Sequence, residues 1–190
     1  ALKFSWGKFS QFLYTINREN ELLRIVDFWQ PVPNNQKPQE AEHYIVGVEY
    51  WISEGNVFSV ESYYKPYLHV YDLNPRADSD NIDSTMAISG KGTAYGIELL
   101  YRINRDKVAG WLSYTYSQIY REIDLNGDGV LWEEKEVYPA KYNKPHSFNA
   151  VLSYMMDEKH TIGLACVASS GGTYTPVIGK TYQTGIGSYG

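Results

Sequence analysis

Apolar and polar residues alternate with period two along most of the chain, the spacing of strands rather than helices. In YIVGVEYWI, Tyr44, Val46, Val48, Tyr50 and Ile52 share one face, with Gly47 and Glu49 on the other. FSVESYYK sets Phe58, Val60, Ser62 and Tyr64 against Ser59, Glu61 and Tyr63. YGIELLYRI sets Ile97, Leu99, Tyr101 and Ile103 against Gly96, Glu98 and Arg102. GWLSYTYSQIY places Leu112, Tyr114, Tyr116 and Tyr120 together, FNAVLSYM does so with Phe148, Ala150, Leu152 and Tyr154, and TIGLACVASS with Ile162, Leu164, Cys166 and Ala168. The opening LKFSWGK adds Leu2, Phe4 and Trp6. The pattern predicts an all-β, antiparallel meander of about seven strands.

The connections differ in length. SEGN, NRDK and DEKH are tight polar turns suited to hairpins. Between them run long segments, 8–43, 71–94, 121–145 and 171 onward, with NRENELLRIV inside the first as a candidate short helix. Compact domains rarely carry several long loops. An outer-membrane barrel does, with short periplasmic turns and long extracellular loops. The faces point the same way: one is rich in tyrosine and free of charge over most of each strand, and the other, with Glu49, Glu61, Glu98 and Arg102, is polar or small. A soluble sheet with one buried face gives the same alternation; the asymmetry of the connections favours the barrel.

Composition sharpens this picture. There are 18 Tyr and 5 Trp but only 6 Phe, a bias toward rings with a polar handle, which favour apolar–aqueous boundaries. The net charge of −5 gives no reason to expect a nucleic-acid partner. The single cysteine, Cys166, excludes an internal disulfide framework and a cysteine zinc site. No apolar run is long enough for a transmembrane helix, which excludes helical spanning alone.

Several stretches, in order, resemble the barrel of TonB-dependent outer-membrane receptors: ALKFSWGKFSQFLYTI, DFWQPVPNNQKPQEAEHYIVGVEY, VFSVESYYKPYLHVYD, GKGTAYGIELLYRINRDKVAGWLSYTYSQIYREI, YPAKYNKPHSFNAVLSYMM and SSGGTYTPVIG. The likeness is to receptors with a carboxypeptidase-regulatory-like domain before the plug. It implies a large barrel of about 22 strands around a plug, of which residues 1–190 would be a partial segment of about a third, without plug domain or barrel-closing strand. It further implies the bacterial outer membrane, import of a scarce ligand (siderophore, cobalamin, glycan or peptide), ligand capture by extracellular loops, and partners in lipid, the protein's own plug and TonB. Such a segment is not an enzyme. The alternative is a calcium-stabilised soluble β-sandwich that binds carbohydrate, and a passive porin-like channel is a second rival.

Two stretches carry candidate chemistry. DLNGDGVLWEEKE matches the start of a calcium loop: Asp124, Asn126 and Asp128 at positions one, three and five, Gly129 at six, and the Val130 carbonyl at seven. Position twelve, where a bidentate Glu is expected, holds Lys135, so Glu134 or Glu136 would have to serve. The competing reading is a hairpin tip, since Asp, Asn and Gly are also the best turn residues. DFWQPVP presents Phe28 and Trp29 beside two prolines, either as a ring-stacking ligand surface or as loop anchors. The histidines, His43, His69, His146 and His160, show no metal-ligand spacing, and no nucleophile pattern surrounds them. Glu49 and Glu61 are candidates to project from adjacent strands into a lumen.

Overall fold

In a computed structural model, the described residues are 1–15, 29–32, 37–73, 87–124, 135–140 and 142–172. They are all-β. Ten strands follow in order: β1 (Leu2–Gln11), β2 (Leu13–Thr15), β3 (Trp29–Pro31), β4 (Gln39–Ser53), β5 (Asn56–Leu73), β6 (Ala87–Arg105), β7 (Val108–Asp124), β8 (Lys135–Pro139), β9 (His146–Met155) and β10 (Thr161–Ser169). Seven of these are the strands that the alternation predicts. They form one antiparallel sheet in the order β1-β4-β5-β6-β7-β9-β10, with β8 pairing to β7 and β2–β3 forming a separate small ribbon. NRENELLRIV lies outside the described residues.

The strands run further than the alternation suggests. The charge-free stretches are about nine residues long, yet β5 and β6 span 18 and 19 residues. Their distal halves, such as YKPYLHVYDL, lose the strict alternation because aromatic and charged residues occupy both faces. Backbone pairing continues there regardless, through Leu73 opposite Ala87 and Asp124 opposite Lys135. Residues 71–73 and 121–124, expected to lie in loops, are therefore strand. A bulge between Leu68 and Val70 interrupts β5, with His69 at a positive φ of 56°. An extra residue at a bulge increases local twist. Beyond it Tyr71 is buried against Tyr14 of β2, ring centroids 5.2 Å apart, and its hydroxyl donates to the Lys37 carbonyl at 2.6 Å.

Connection length divides the two ends of the sheet. β4–β5 closes through Ser53 and Asn56, β6–β7 through Arg105 and Val108, and β9–β10 through the turn between Met155 and Thr161. All three tight turns sit at one end, the turn end. The long connections all leave from the other, the loop end.

β7 needs a continuous partner along one edge, and three pieces supply it. β9 pairs with Val108 through Tyr116, and β8 with Tyr120 through Asp124. The intervening residues are served by the crossing segment. Ser117 donates its amide to the Pro145 carbonyl at 2.9 Å, and the buried Asn143 accepts the Ile119 amide on Oδ1 at 3.0 Å. Asn143 also donates to the Gln118 side chain at 3.2 Å. Its amide side chain thus stands in for a strand backbone where the real strand changes.

Gly55 fixes the first tight turn. Its φ is +82°, and an added Cβ would collide with the Asn104 carbonyl oxygen of the neighbouring turn. Gly163 on β10 has open space around it. Gly55→Ala is expected to destabilise the folded protein by about 1–3 kcal/mol, and Gly163→Ala by less than half of that. Urea-unfolding midpoints of the two variants would check this; equal midpoints would contradict the role given to Gly55.

Candidate functional site

The register determines what each face presents, because residues directly opposite across an antiparallel pair project to the same side. Val48 lies opposite Leu2 and Val60, Val60 opposite Leu99, Leu99 opposite Tyr114, Tyr114 opposite Phe148, and Phe148 opposite Ala168. A line across all seven strands is therefore apolar. The neighbouring lines are mostly apolar too: Phe4, Val46, Ile97 and Tyr116 on one side, interrupted by Ser62 and ending at His146, and Tyr50, Phe58, Tyr101 and Leu112 on the other. This apolar face is uncovered among the described residues: Leu2 is 78% exposed, Val48 52% and Leu164 62%.

Charge brackets the band. Toward the loop end the same face carries Lys8, which bonds Glu40 at 3.0 Å, then Glu42 opposite Lys8, and Lys91 opposite Leu68 and Glu122. At the other end the turns carry Glu54, Asp106 and Lys107. Just inside the loop-end charges runs a row of rings, Trp6–Tyr44–Tyr64–Tyr95, each opposite the next.

The opposite face holds the carboxylates. Glu49 accepts from Lys3 at 3.0 Å and from the Trp51 indole at 3.2 Å. Glu61 stands directly opposite Glu98 and leans over Gly47. Glu49 and Glu61 thus share this face with Glu98, as the sequence suggested. The face is not uniformly polar: near the turn end Arg102 stands between Val57 and Trp111.

At the loop end this face changes sign and texture. Tyr63, Lys65 and Tyr67 alternate along β5, opposite Gly96, Ala94 and Gly92 of β6. The missing side chains let the tyrosines lie across β6; the Tyr63 hydroxyl comes 2.7 Å from where a Gly96 Cβ would stand. The Lys65 ammonium sits 4.4 Å over the Tyr63 ring, and the Arg121 guanidinium 5.9 Å over that of Tyr142. His43 on β4 packs its ring against Phe9, centroids 4.4 Å apart and planes tilted by 38°. The sequence reading missed this group. Its signal is the Y-x-K-x-Y spacing of residues 63–67 facing G-x-A-x-G at 92–96, legible only once the register is known.

The residues singled out from sequence fall elsewhere. Asp124 ends β7 opposite Lys135, and Glu136 lies on β8 opposite Ile123, so 125–134 is closed by a paired hairpin stem. Asn126, Asp128, Val130 and Glu134 lie outside the described residues, as does Phe28. Trp29 is on β3 opposite Thr15 and is 60% exposed. His146 opens β9, where its ring meets the Tyr114 hydroxyl at 2.8 Å. A shallow depression lies there, lined by Tyr114, His146, Phe148 and Ser170. Cys166 is exposed on the apolar face.

No family model, curated protein or solved structure matches the chain.

Asp157 organises the last tight turn. Its carboxylate accepts the backbone amides of Lys159 at 2.8 Å and His160 at 2.9 Å, and contacts the His160 ring at 2.8 Å. The Lys159 amide first, and the His160 side chain next, hold the carboxyl below its ordinary pKa. A depressed folded pKa means stabilisation that is complete above the unfolded carboxylate pKa and lost as pH falls through the folded value. Hydrogen-exchange protection at the Lys159 and His160 amides, corrected for intrinsic exchange, is therefore expected to fall as pH drops below about 4. Asp157→Asn should flatten that dependence; a fall of the same size in the variant would contradict the assignment.

Proposed function

We propose that this chain is part of the wall of a TonB-dependent receptor barrel in a bacterial outer membrane, which imports a scarce ligand captured by its extracellular loops. The observation that carries the reading is the apolar face: seven strands wide, in one register, bracketed by charge and uncovered among the described residues. Its height suits a bilayer. Residues 44–52 of β4 are charge-free on this face over about nine residues, or ~30 Å at ~3.3 Å each. Tilted by about 40°, that stretch covers ~23 Å along the membrane normal, close to the ≈ 25 Å apolar band of such barrels. The ring row Trp6–Tyr44–Tyr64–Tyr95 suits the interfacial girdle at one boundary.

The connections support the same orientation. Tight turns at one end would be periplasmic, and the long connections at the other extracellular. The outer edges of β1 and β10 have no strand partner among the described residues. In lipid each unpaired backbone group costs several kcal/mol. Further strands of the same barrel would close these edges, and the polar face would then line a lumen filled by the plug. The extracellular loop on β7 and β8 is a site for calcium, with Asp124, Asn126, Asp128, the Val130 carbonyl and either Glu134 or Glu136 as ligands.

One experiment tests the wall. Leu99 is central on the apolar face, and Thr115 lies opposite Glu98 on the other. In the parent polypeptide, Leu99→Arg is expected to cost about 2–4 kcal/mol of barrel stability and to deplete the protein from outer-membrane fractions. Thr115→Arg should leave its amount and location unchanged. The reverse ranking, or a soluble parent polypeptide, would sink the membrane reading.

A second experiment tests the ion. Calcium is expected to protect residues 125–134 from protease on intact cells, and the double change Asp124→Ala, Asp128→Ala should remove that protection. Cleavage that ignores calcium in the parent protein would reject the ion site.

A further inference from the structure

We propose that the apolar face carries a seat for one ester-linked acyl lipid, with Tyr116 and the Tyr114–His146 pair donating to an acyl carbonyl and with Phe148 and Ala168 against the chain beneath it. This inference rests on reading that face as the lipid-facing wall of a membrane barrel.

The site begins with a polar interruption in an apolar pattern. On this face β7 carries Tyr114, Tyr116 and Gln118, and β9 sets His146 directly opposite Tyr116. Gln118 lies opposite Tyr95, level with the ring row. Tyr116 and His146 are therefore two residues inward from that row, or about 5 Å along the membrane normal for a strand tilted by about 40°. An ionisable side chain is rare at such a depth, and one found there points to a function.

Hydrogen bonds lead to this spot from the backbone outward. The Ile119 amide donates to Asn143 Oδ1 at 3.0 Å, Asn143 Nδ2 to Gln118 Oε1 at 3.2 Å, and Gln118 Nε2 to the Tyr116 hydroxyl at 3.3 Å. Donors aligned in one direction polarise one another. The series ends on the Tyr116 hydroxyl hydrogen, which has no acceptor among the described residues. Beside it, the Tyr114 hydroxyl and His146 Nδ1 share one hydrogen bond at 2.8 Å. Either tautomer of the ring leaves this pair with a hydrogen that has no acceptor among the described residues, on Nε2 or on the Tyr114 hydroxyl. The Tyr116 and His146 ring centroids are 5.3 Å apart, so the two donors lie close together. Ser170 fixes the histidine in place: its hydroxyl accepts the His146 amide at 3.1 Å and donates to the His146 carbonyl at 3.4 Å.

Depth and hydrogen bonding together select the occupant. Donors without acceptors are costly in hydrocarbon. The girdle rings sit at headgroup level, and a lipid places its ester carbonyls just beneath its headgroup. An ester carbonyl is also an acceptor with an apolar chain attached. Next to the donors, the shallow depression continues from Tyr114 and His146 onto Phe148 and Ala168. The following pair on the same face is Ala150 and Cys166. A chain leaving the carbonyl would thus meet apolar surface without crossing a polar group.

The test uses the parent polypeptide, purified from outer membranes in detergent, and counts bound lipid by native mass spectrometry. The probes are diphytanoyl phosphatidylcholine with ester-linked chains and the same lipid with ether-linked chains, which has no carbonyls. The ester form is expected to bind about ten-fold more tightly, the effect of one or two hydrogen bonds. Tyr116→Phe combined with His146→Phe should remove most of that preference. Tyr101→Phe, level with Leu112 and four residues deeper on the same face, should leave it unchanged. Because the two lipids are compared within each variant, a general loss of stability does not imitate the effect. Equal binding of both lipids, or a preference that survives the double change, would overturn the lipid seat while the protein's outer-membrane location left the receptor reading intact. A two-copy assembly that binds neither lipid would assign the patch to protein contact and overturn the seat as well. A parent polypeptide absent from the outer membrane would overturn both readings.

Discussion

The arrangement of this protein depends on strand register. Side chains alternate with period two, so a slip of one residue would carry a whole strand's apolar set to the other face. Six successive pairings place Leu2, Val48, Val60, Leu99, Tyr114, Phe148 and Ala168 in one line. The tight turns hold that alignment at one end. Gly55, in a conformation that disfavours a side chain, keeps β4 and β5 from sliding. At the other end alignment is maintained by backbone substitutes, above all Asn143, whose side chain continues the ladder between β8 and β9.

The same register gives the second face its chemistry. Lys65 could not lie over Tyr63 unless Gly96 and Gly92 stood opposite the tyrosines. Nor would Glu61 face Glu98. Like charges directly opposite each other are destabilising, and they are tolerated here because both side chains are exposed to water. The polar face therefore runs from apolar near the turns, through acidic at mid-height, to cationic and aromatic at the loop end. Each of these zones is carried by more than one strand.

Much of this was legible in the sequence. All seven meander strands follow from alternation, and the three tight turns follow from SEGN, NRDK and DEKH. What was hidden depends on pairs. The end of β5 (71–73), the start of β6 (87–94) and the end of β7 (121–124) read as loop from alternation alone, because residues such as Asp72, Lys91, Arg121 and Glu122 break the apolar rhythm, while backbone hydrogen bonds are indifferent to side-chain polarity. The Tyr63–Lys65–Tyr67 group was missed because its meaning depends on the glycines of β6, about thirty residues away in the chain. The role of Asn143 was invisible for the same reason: nothing near it in sequence indicates that Ile119 needs an acceptor.

Among the described residues the apolar face is uncovered and the outer edges of β1 and β10 are unpaired, and the two are one problem. A second sheet packed on Val48 and Leu99 would cover the apolar face, as in a sandwich, yet β1 and β10 would still offer unpaired backbone to solvent or to neighbouring chains. Pairing the edges with more strands in water would satisfy the backbone and leave the apolar band wet. A closed barrel in lipid answers both demands together: closure pairs every edge, and hydrocarbon covers every outward side chain. It would also account for the band ending where Lys8, Glu40 and Glu42 begin, because in such a barrel the outward face would leave hydrocarbon there and charge would become favourable again.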